Sequence, residues 1–402
     1  MCGQCIYICP ANAFSEKSEV GEVLEVLNNP NKHVVVQVAP AIRTALGEEF
    51  GLPYGTNVTG KIPAAAKVLG FDQVLDTKFA ADLTIMEEGS ELLHRIHNNG
   101  ILPMMTSCSP GWVSYCETFY PELIDHLSSC KSPHMMLGAM IKSHYAKKTN
   151  IDPKDIVTVS IMPCIAKKYE AQREEFEVDG IRDIDHVITT REFAAMIKAA
   201  NIEFVNLADE PFDSYYGESG AGLIFGATGG VMETALRTVT EKLAHLAMDE
   251  SELQAAEKRT GQALNQVEFT EARGSEGIKE VTVKAGDVTV HGLIINGVGN
   301  SKEVLDAIRE GTEKSKYHFI EVMGCPGGCV MGGGQPMVNS RIAEKEGVFE
   351  KRANVLYNTD QQATVRRSHE NPEILALYEE FLGEPNGEVA HKYLHTHYKP
   401  RI

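Results

Sequence analysis

Long apolar runs are missing from this sequence. None approaches the ~18 consecutive apolar residues that a membrane-spanning helix needs, so we expect no membrane span. Positive charge is also scarce, because 38 Lys and Arg residues face 56 Asp and Glu residues and leave a formal charge of -18. Nucleic-acid binding needs a basic face, so that function is excluded. The opening "MCGQCIYICP" lacks the basic start and long apolar centre of a secretory signal, and we expect a cytoplasmic protein.

Apolar residues are plentiful by contrast. They make up 43% of the 402 residues, enough for a large core and two lobes. Buried strands are predicted where short apolar runs end in turn residues: "HVVVQVAP", "ILPMMTSCSP", "DIVTVSIMPC", "HGLIINGVGN" and "YHFIEVMGCPGGC". Helices are predicted over 41–51, 61–69 and "EEGSELLHRIHNNG", the last amphipathic and closed by Asn-Gly. The alternation predicts an α/β fold of two lobes, each a mostly parallel sheet flanked by helices.

The nine cysteines, without a secretory signal, predict metal binding or redox chemistry rather than disulfides. Ligand sites in parallel sheets lie beyond the carboxyl ends of strands. Cys108, Cys164 and the pair Cys325 and Cys329 all follow predicted strands. The glycines of "CPGGC" let backbone N–H groups approach an anion such as an iron–sulfur cluster. Cys164, Cys325 and Cys329 form one set of three, and one more thiolate would complete a Cys₄ site for a 4Fe–4S cluster.

The first residues carry a separate cysteine pattern. Cys2, Cys5 and Cys9 read C-x₂-C-x₃-C-P, the end of the bacterial ferredoxin pattern. The first cysteine of that pattern would precede residue 1, so either the chain is a fragment or this segment has lost its cluster. We expect residues 1–25 to be a truncated ferredoxin-like segment with no more than a remnant accessory 4Fe–4S site. Two cysteines in helix-like stretches are predicted to be buried thiols, Cys116 and Cys130.

Three motifs occur in the order "TSCSPGW", "MPCIAKKYE" and "EVMGCPGGCVMGGGQP". In them the sequence resembles the iron-only (FeFe) hydrogenases, whose first motif is usually TSCCPGW. The resemblance covers essentially the whole chain. It implies a catalytic domain over 26–345 with the metal cofactor buried between its two lobes, and a helical small-subunit-like region over 346–402. It also implies the reaction 2 H⁺ + 2 e⁻ ⇌ H₂, with electrons from ferredoxin or another small carrier.

The resemblance implies a particular cofactor, the H-cluster, in which a 4Fe–4S cluster is joined through a cysteine sulfur to a two-iron unit. That unit carries carbon monoxide, cyanide and a bridging dithiolate, and maturation proteins must supply it. By position, Cys164, Cys325 and Cys329 are implied as cluster ligands, with Cys329 bridging to the two-iron unit. Lys167 would donate to a cyanide, since an ammonium suits a dry pocket beside an anionic ligand. The other implied pocket residues are Pro163, Met323, Pro40, Ala41 and Phe225.

A dry site needs a file of titratable groups that carries protons to it. The family's file is implied to open near Arg95 and to contain Cys108, Glu88, Ser128 and Glu91. Glu88 and Glu91 are three residues apart, so they share one face of the predicted helix. Glu170 lies three residues after Lys167. For Glu170 the sequence predicts a packing or salt-bridge role at least as readily as a role in proton transfer.

The sequence departs from the family pattern at several positions. Ala41 stands where many members have a serine that helps to hold a cyanide, His134 replaces a common glutamine, and Gly324 replaces a common alanine. The largest departure is Ser109, which occupies the ligand position directly before the proline. In the same register Cys108 occupies the position of the proton carrier.

A serine hydroxyl ionises less readily than a thiol, and it is a harder ligand than iron–sulfur clusters prefer. Three possibilities are open for the fourth ligand position of the cluster. Ser109 binds iron as an alkoxide, or Cys108 turns in and takes the ligand place, or the cluster is labile and the protein poorly active.

The alternative function is a hydrogenase-like protein with little or no H₂ turnover, either a sensor of H₂ or redox state or an iron–sulfur assembly protein. Lys167, Met323 and the glutamate file favour the enzyme, whereas Ser109 favours the alternative. An anaerobic organelle replaces the cytoplasm as the expected location if a targeting segment is missing from the N-terminus.

Overall fold

Two four-stranded sheets and one hairpin form the framework of the described chain. The structure, a computed structural model, describes residues 3–9, 11, 13–217, 219–247, 268–285, 288–312 and 316–401. Its strands are β1 (His33–Val38), β2 (Gln73–Asp76), β3 (Met104–Met105), β4 (Ile156–Met162), β5 (Glu177–Val178), β6 (Ile181–Arg182), β7 (His186–Thr189), β8 (Ile278–Ala285), β9 (Val288–Asn296) and β10 (Phe319–Met323). Its α-helices are Gln4–Ile8, Val20–Leu27, Lys61–Leu69, Lys78–His97, Pro110–Phe119, Pro133–Met140, Ala146–Thr149, Ala166–Ala171, Thr190–Ala199, Ala221–Ile224, Gly230–Ala247, Lys302–Glu310, Ser340–Glu346, Val348–Gln362, Pro372–Leu377 and Glu388–Leu394.

Both sheets are mostly parallel. The first has the order β2-β1-β4-β7 and is parallel throughout. The second has the order β3-β10-β9-β8, and its only antiparallel pair is β8 with β9 at the edge. Helices cover the sheets, so consecutive residues of β1 such as Val34, Val35 and Val36 are all buried, as β-branched residues of a two-sided core should be. The predicted α/β fold is confirmed.

Several predicted elements differ in detail. The stretch 41–51 forms two 3₁₀ helices, Pro40–Thr44 and Leu46–Phe50. The "ILPMM" strand is only β3, two residues long. Cys130 lies outside any helix, in a segment whose backbone pairs with His395.

One helix is more deeply buried than its sequence predicts. It spans Lys78–His97, and its first twelve residues, 78–89, are buried on every side. The predicted amphipathic character is therefore wrong for the first part of "EEGSELLHRIHNNG". Among the helices of the described residues, none combines the length and apolar character that a bilayer crossing demands.

A buried ion-pair network joins two helices that are far apart in the sequence. Arg237, on Gly230–Ala247, donates from both terminal nitrogens to Asp360 at 2.9 Å, and it also donates to Glu233 at 2.9 Å. All three side chains are fully buried. Asp360 belongs to the helix Val348–Gln362, so this network holds that helix against the helix Gly230–Ala247.

We expect Arg237→Ala to lower the free energy of unfolding by about 3–5 kcal/mol, because it removes the buried cation that two buried carboxylates share. Urea unfolding followed by circular dichroism measures this change. Lys302→Ala is the control, because its ion pair with Asp306 is exposed and such pairs contribute little. Equal midpoint shifts in the two variants would contradict the structural role of Arg237.

Candidate metal centre

Three cysteine segments meet at one cavity beyond the carboxyl ends of the strands. Cys108 follows β3, Cys164 follows β4, and Cys325 follows β10. The cavity is lined by every residue for which the resemblance implies contact with the cofactor: Pro40, Ala41, Cys108, Ser109, Pro163, Cys164, Lys167, Phe225, Met323, Cys325 and Cys329. His134 and Gly324, two of the departures from the family pattern, also line it. The fold thus brings together residues that are up to 289 positions apart, from Pro40 to Cys329.

The "CPGGC" loop needs glycine for its backbone. Gly327 and Gly328 have φ angles of 83° and 79°, in the left-handed region that favours glycine. A Cβ at Gly328 would lie 2.8 Å from the amide nitrogen of Thr228. In the following "GGGQP", the amide of Gly334 donates to the carbonyl of Pro163 at 2.8 Å. The glycines therefore let the Cys329 segment pack directly against the backbone that precedes Cys164.

Lys167 is held at the cavity by two contacts. Its Nζ donates to the carbonyl of Cys108 at 3.1 Å and to the Glu170 carboxylate at 2.8 Å. The same Glu170 oxygen lies 3.1 Å from Nδ1 of His134, whose Nε2 lies 2.9 Å from the Ser160 hydroxyl. Burial raises the pKa of Glu170, but the Lys167 ammonium and the hydrogen bond from His134 lower it to about 2. Glu170 thus forms a salt bridge that fixes the position of Lys167.

The cavity fits an iron–sulfur cluster at three of four ligand positions. Cys164, Cys325 and Cys329 supply thiols to a lining that is mainly apolar. Burial raises the pKa of Cys164, and burial together with the neighbouring Cys164 raises the pKa of Cys329 to about 12. Thiolates form in such surroundings when a metal cation compensates their charge, and iron in a cluster does so.

Ser109 and Gly324 are direct neighbours. A Cβ placed on Gly324 would lie 2.5 Å from the Ser109 hydroxyl oxygen, which is closer than real Cβ atoms come. The two departures from the family pattern, serine in place of cysteine and glycine in place of alanine, therefore occur at residues that contact each other. The sequence shows both departures but gives no sign that they touch.

Glu88 is a buried carboxyl group without a hydrogen-bonding partner. It is 1% exposed, and within the described residues neither of its oxygens forms a hydrogen bond. Burial and the nearby Glu91 carboxylate raise the pKa of Glu88 to about 8, although the neighbouring Ser128 hydroxyl opposes that rise. Glu88 also lies close enough to Cys108 to raise the pKa of that thiol, for which burial is the main cause. Glu88 therefore carries a proton at neutral pH.

Glu91 lies on the same helix as Glu88 and is closer to the surface. Its Oε2 accepts a hydrogen bond from the Ser128 hydroxyl at 2.9 Å, and its Oε1 accepts one from Arg95 at 2.6 Å. Arg95 and Ser128 line a surface cavity of about 330 Å³. Hydrogen bonds thus join Arg95, Glu91 and Ser128 at the surface end of the implied proton file.

A buried network beside this file was not predicted. Glu87 accepts hydrogen bonds from Tyr378 and from the amide of Asn386, and it lies 2.9 Å from Nε2 of His395. Nδ1 of His395 lies 2.8 Å from the Ser129 hydroxyl. No spacing rule connects residues that are about 300 positions apart, so sequence patterns could not reveal this contact.

The N-terminal segment contacts residues that lie near Cys164 and Cys329 in the chain. Gly3 packs closely on Ile165, and Gln4 donates to the carbonyl of Met331 at 3.1 Å. These partners are next to Cys164 and close to Cys329 in the chain. Of the three N-terminal cysteines, Cys5 is exposed and Cys9 is half-buried, while Cys2 lies outside the described residues.

Comparison with known proteins identifies the family. The family model for the iron-only hydrogenase large subunit, C-terminal domain, matches residues 32–333. The chain belongs to the iron-only hydrogenase family. The model for the iron hydrogenase small subunit matches residues 346–401. The cofactor of this family is the H-cluster, a 4Fe–4S cluster joined to a two-iron unit, as the sequence motifs predict.

Three relatives show the range of the family. The NADP-reducing hydrogenase subunit HndD of Solidesulfovibrio fructosivorans is 48% identical over 407 residues, which cover 100% of this chain and 66% of HndD. A variant of the apo [FeFe]-hydrogenase HydA1 of Chlamydomonas reinhardtii superposes with a TM-score of 0.80 at 42% identity and covers 96% of this chain and 99% of that one. The cytosolic Fe-S cluster assembly factor narfl of Xenopus tropicalis is 31% identical, covering 92% of this chain and 75% of narfl. The chain thus spans just under two thirds of the length of HndD.

Proposed function

We propose that this chain is the catalytic part of an FeFe hydrogenase that interconverts protons, electrons and H₂. The observation that carries the proposal is the deep burial of Glu88, which together with the Glu91 carboxylate raises the pKa of Glu88 to about 8. An assembly protein needs thiols to hold a cluster, but a proton-carrying group at neutral pH serves proton chemistry. The identity to hydrogenases supports the same function.

Cys164, Cys325 and Cys329 would hold the 4Fe–4S cluster, and Lys167 would donate to an anionic ligand of the two-iron unit. When bound, that unit supplies the metal centre at which two protons and two electrons combine, and maturation proteins must deliver it. The Lys167 ammonium suits this role because Glu170 and the Cys108 carbonyl fix it at the cavity. Pro163, Met323 and Phe225 would exclude water around the diatomic ligands.

Protons would move from the surface cavity through Glu91, Ser128 and Glu88 to Cys108. Arg95 would hold the Glu91 carboxylate rather than relay protons, because a guanidinium stays protonated. The pKa of Glu88 near 8 suits a group that must both hold and release a proton at neutral pH.

Electrons would come from ferredoxin or another small carrier. The N-terminal segment supports this direction of transfer, because Gly3 and Gln4 contact residues next to the cluster cysteines. The net charge of -18 favours carriers with a basic docking face. The proposed location is the cytoplasm.

The second candidate function is a sensor or an iron–sulfur assembly protein with little H₂ turnover. The observation in its favour is Ser109, since the fourth ligand position of the cluster holds a hydroxyl. The similarity to narfl of Xenopus tropicalis is consistent with it. An assembly protein differs from the hydrogenase in lacking the two-iron unit, and a sensor differs from it in having little H₂ turnover.

We expect the protein, matured with a two-iron precursor, to show infrared bands of carbon monoxide and cyanide, because Lys167 and the apolar pocket can bind the two-iron unit. Infrared spectroscopy after removal of free precursor measures this directly. Lys167→Ala is the matched variant and should weaken or abolish the bands while iron of the 4Fe–4S cluster remains. A protein with a complete 4Fe–4S cluster and no such bands would support the second candidate function.

A further inference from the structure

A second group of metal-binding side chains lies beside the proton file. One donor atom from each of Glu91, Cys130 and His395 lies within 4.8 Å of the other two. Cys130 and His395 are buried, and Glu91 is half-buried. A thiolate, an imidazole and a carboxylate are ligands that zinc takes in sites with three protein ligands and an open fourth position. We propose that Glu91, Cys130 and His395 bind a zinc ion, and that the bound ion blocks proton transfer through Glu91.

The backbone places two of these ligands side by side. Cys130 and His395 face each other in an isolated antiparallel bridge, and the amide of Lys131 donates to the carbonyl of Leu394 at 2.8 Å. Residues directly opposite in an antiparallel pair have Cβ atoms about 4.5–5.5 Å apart. The thiol and the imidazole are therefore held together by the fold before any ion binds.

The hydrogen bond from His395 to Glu87 sets the correct tautomer. Glu87 is fully buried and lies 2.9 Å from Nε2 of His395. A carboxylate only accepts hydrogen bonds, so Nε2 carries the proton and Nδ1 presents a lone pair. A buried carboxylate behind a metal-binding histidine is the usual arrangement that orients the ring and raises its basicity. Without a bound ion, the Ser129 hydroxyl lies 2.8 Å from Nδ1 of His395 and forms the hydrogen bond that zinc would replace.

The oxygen atoms of Glu91 divide between two roles. Oε1 pairs with Arg95 at 2.6 Å, and Oε2 lies 3.9 Å from the sulfur of Cys130. Zinc would bind Oε2, while Cys130 releases its proton to solvent and the Zn–S bond replaces the S–H bond. The ion also offsets the charge of Glu87 and Glu91, which lie one helical turn apart. The cavity of about 330 Å³ that Ser129 lines gives the ion a path from solvent.

The effect on catalysis rests on the proposed function. Oε2 of Glu91 is the atom that accepts the hydrogen bond from Ser128 at 2.9 Å. A zinc ion on that oxygen takes its lone pair and adds positive charge beside the Ser128 hydroxyl that leads to Glu88. Protons then fail to pass, although the metal cavity is untouched.

The test uses the cluster-loaded protein, because empty cysteines of the metal cavity would themselves bind zinc. Zinc content after equilibrium dialysis should exceed that of Cys130→Ala by about one ion per chain, as a single three-ligand site predicts. The zinc absorption edge is separate from that of iron, and its fine structure should show one sulfur with nitrogen and oxygen ligands. Cys130→Ala and His395→Gln should each remove the ion. Cys116→Ala is the matched control, because Cys116 is also a fully buried cysteine but lies outside the site.

Turnover provides the second measurement. Zinc should lower the H₂ production of the matured protein by a factor of about 10²–10⁴, the range that loss of one proton-transfer group produces. A chelator should restore it, and His395→Gln should be insensitive to zinc. Absence of stoichiometric zinc, or zinc that stays bound in both ligand variants, would overturn the site. Zinc that binds without changing turnover would overturn the proposed block of proton transfer through Glu91. A chain that binds zinc but makes no H₂ at all would contradict the proposed function and leave the site standing.

Discussion

Glu88→Gln should lower H₂ production by a factor of about 10²–10⁴, the usual contribution of a positioned proton-transfer group. Glutamine has the same shape as the protonated carboxyl group that Glu88 carries at neutral pH, so the helix Lys78–His97 and the metal cavity should keep their structure. The amide cannot release and take up a proton in the file. The infrared spectrum of the matured variant should therefore match that of the parent protein while its turnover is nearly lost.

Glu321→Gln is the control for Glu88→Gln. Glu321 is also fully buried, and burial raises its pKa to about 7, but it lies outside the file and accepts hydrogen bonds from the amides of Gly229 and Met232. We expect this variant to lose stability and to retain turnover per cofactor. Full H₂ production by Glu88→Gln would show that protons reach the cavity by another route.

The pH profile gives an independent reading of Glu88. Its pKa is raised to about 8, so the protonated form dominates below that value and falls about tenfold per pH unit above it. H₂ production should therefore decline as the pH rises through 8. In Glu88→Gln the residual activity should lack this step, and a step of equal size in the variant would assign it to another group.

Local patterns of the sequence predict those parts of the fold that are fixed by local chemistry. The valines of β1, the glycines of "CPGGC" and the helix 61–69 were predictable because burial on two faces, positive φ and helical periodicity each leave a local pattern. The cysteine segments could be placed at one edge of the sheets because the carboxyl ends of parallel strands converge.

Contacts between distant residues left no such pattern. The Arg237–Asp360 pair, the Glu87–His395 contact and the Ser109–Gly324 contact each depend on how separate elements pack. Burial of helix residues 78–89 on all sides was missed for the same reason, since charged residues in the sequence predict an exposed face. The pKa of Glu88 likewise depends on a neighbourhood that only the folded chain creates.

Ser109→Cys should raise both the stability of the 4Fe–4S cluster and the H₂ production, because a thiolate forms at a much lower free-energy cost than an alkoxide. The gain should be largest when Gly324→Ala is combined with it. An alanine methyl group would lie 2.5 Å from the present Ser109 hydroxyl oxygen, so the methyl group turns the side chain at 109 away from 324 and toward the cavity that both residues line.

A double-mutant cycle over positions 109 and 324 measures this coupling. Gly324→Ala alone should change the cluster's lifetime through Ser109, and its effect should differ in the Ser109→Cys background. Cluster loss after exposure to a chelator is the readout, because it reports ligand quality independently of proton transfer. Strictly additive effects would show that the contact at 109 and 324 has no part in holding the cluster.

Cys108→Ala then decides which atom completes the cluster. If Ser109 is the ligand, the variant keeps about four irons per chain before the two-iron unit is loaded, the content of one 4Fe–4S cluster. After loading it loses H₂ production because its proton carrier is gone. If Cys108 has turned in as the ligand, the same change removes the cluster itself. Iron content separates the two models, whereas turnover is lost in both. Turnover of the same preparation then shows whether Cys108 has any part in catalysis. The hydrogen bond between Lys167 and Cys108 uses the backbone carbonyl of Cys108. The alanine therefore keeps this contact, and the change in iron content or turnover reports the loss of the thiol alone. A variant with both a full cluster and full activity would show that Cys108 neither binds iron nor carries protons.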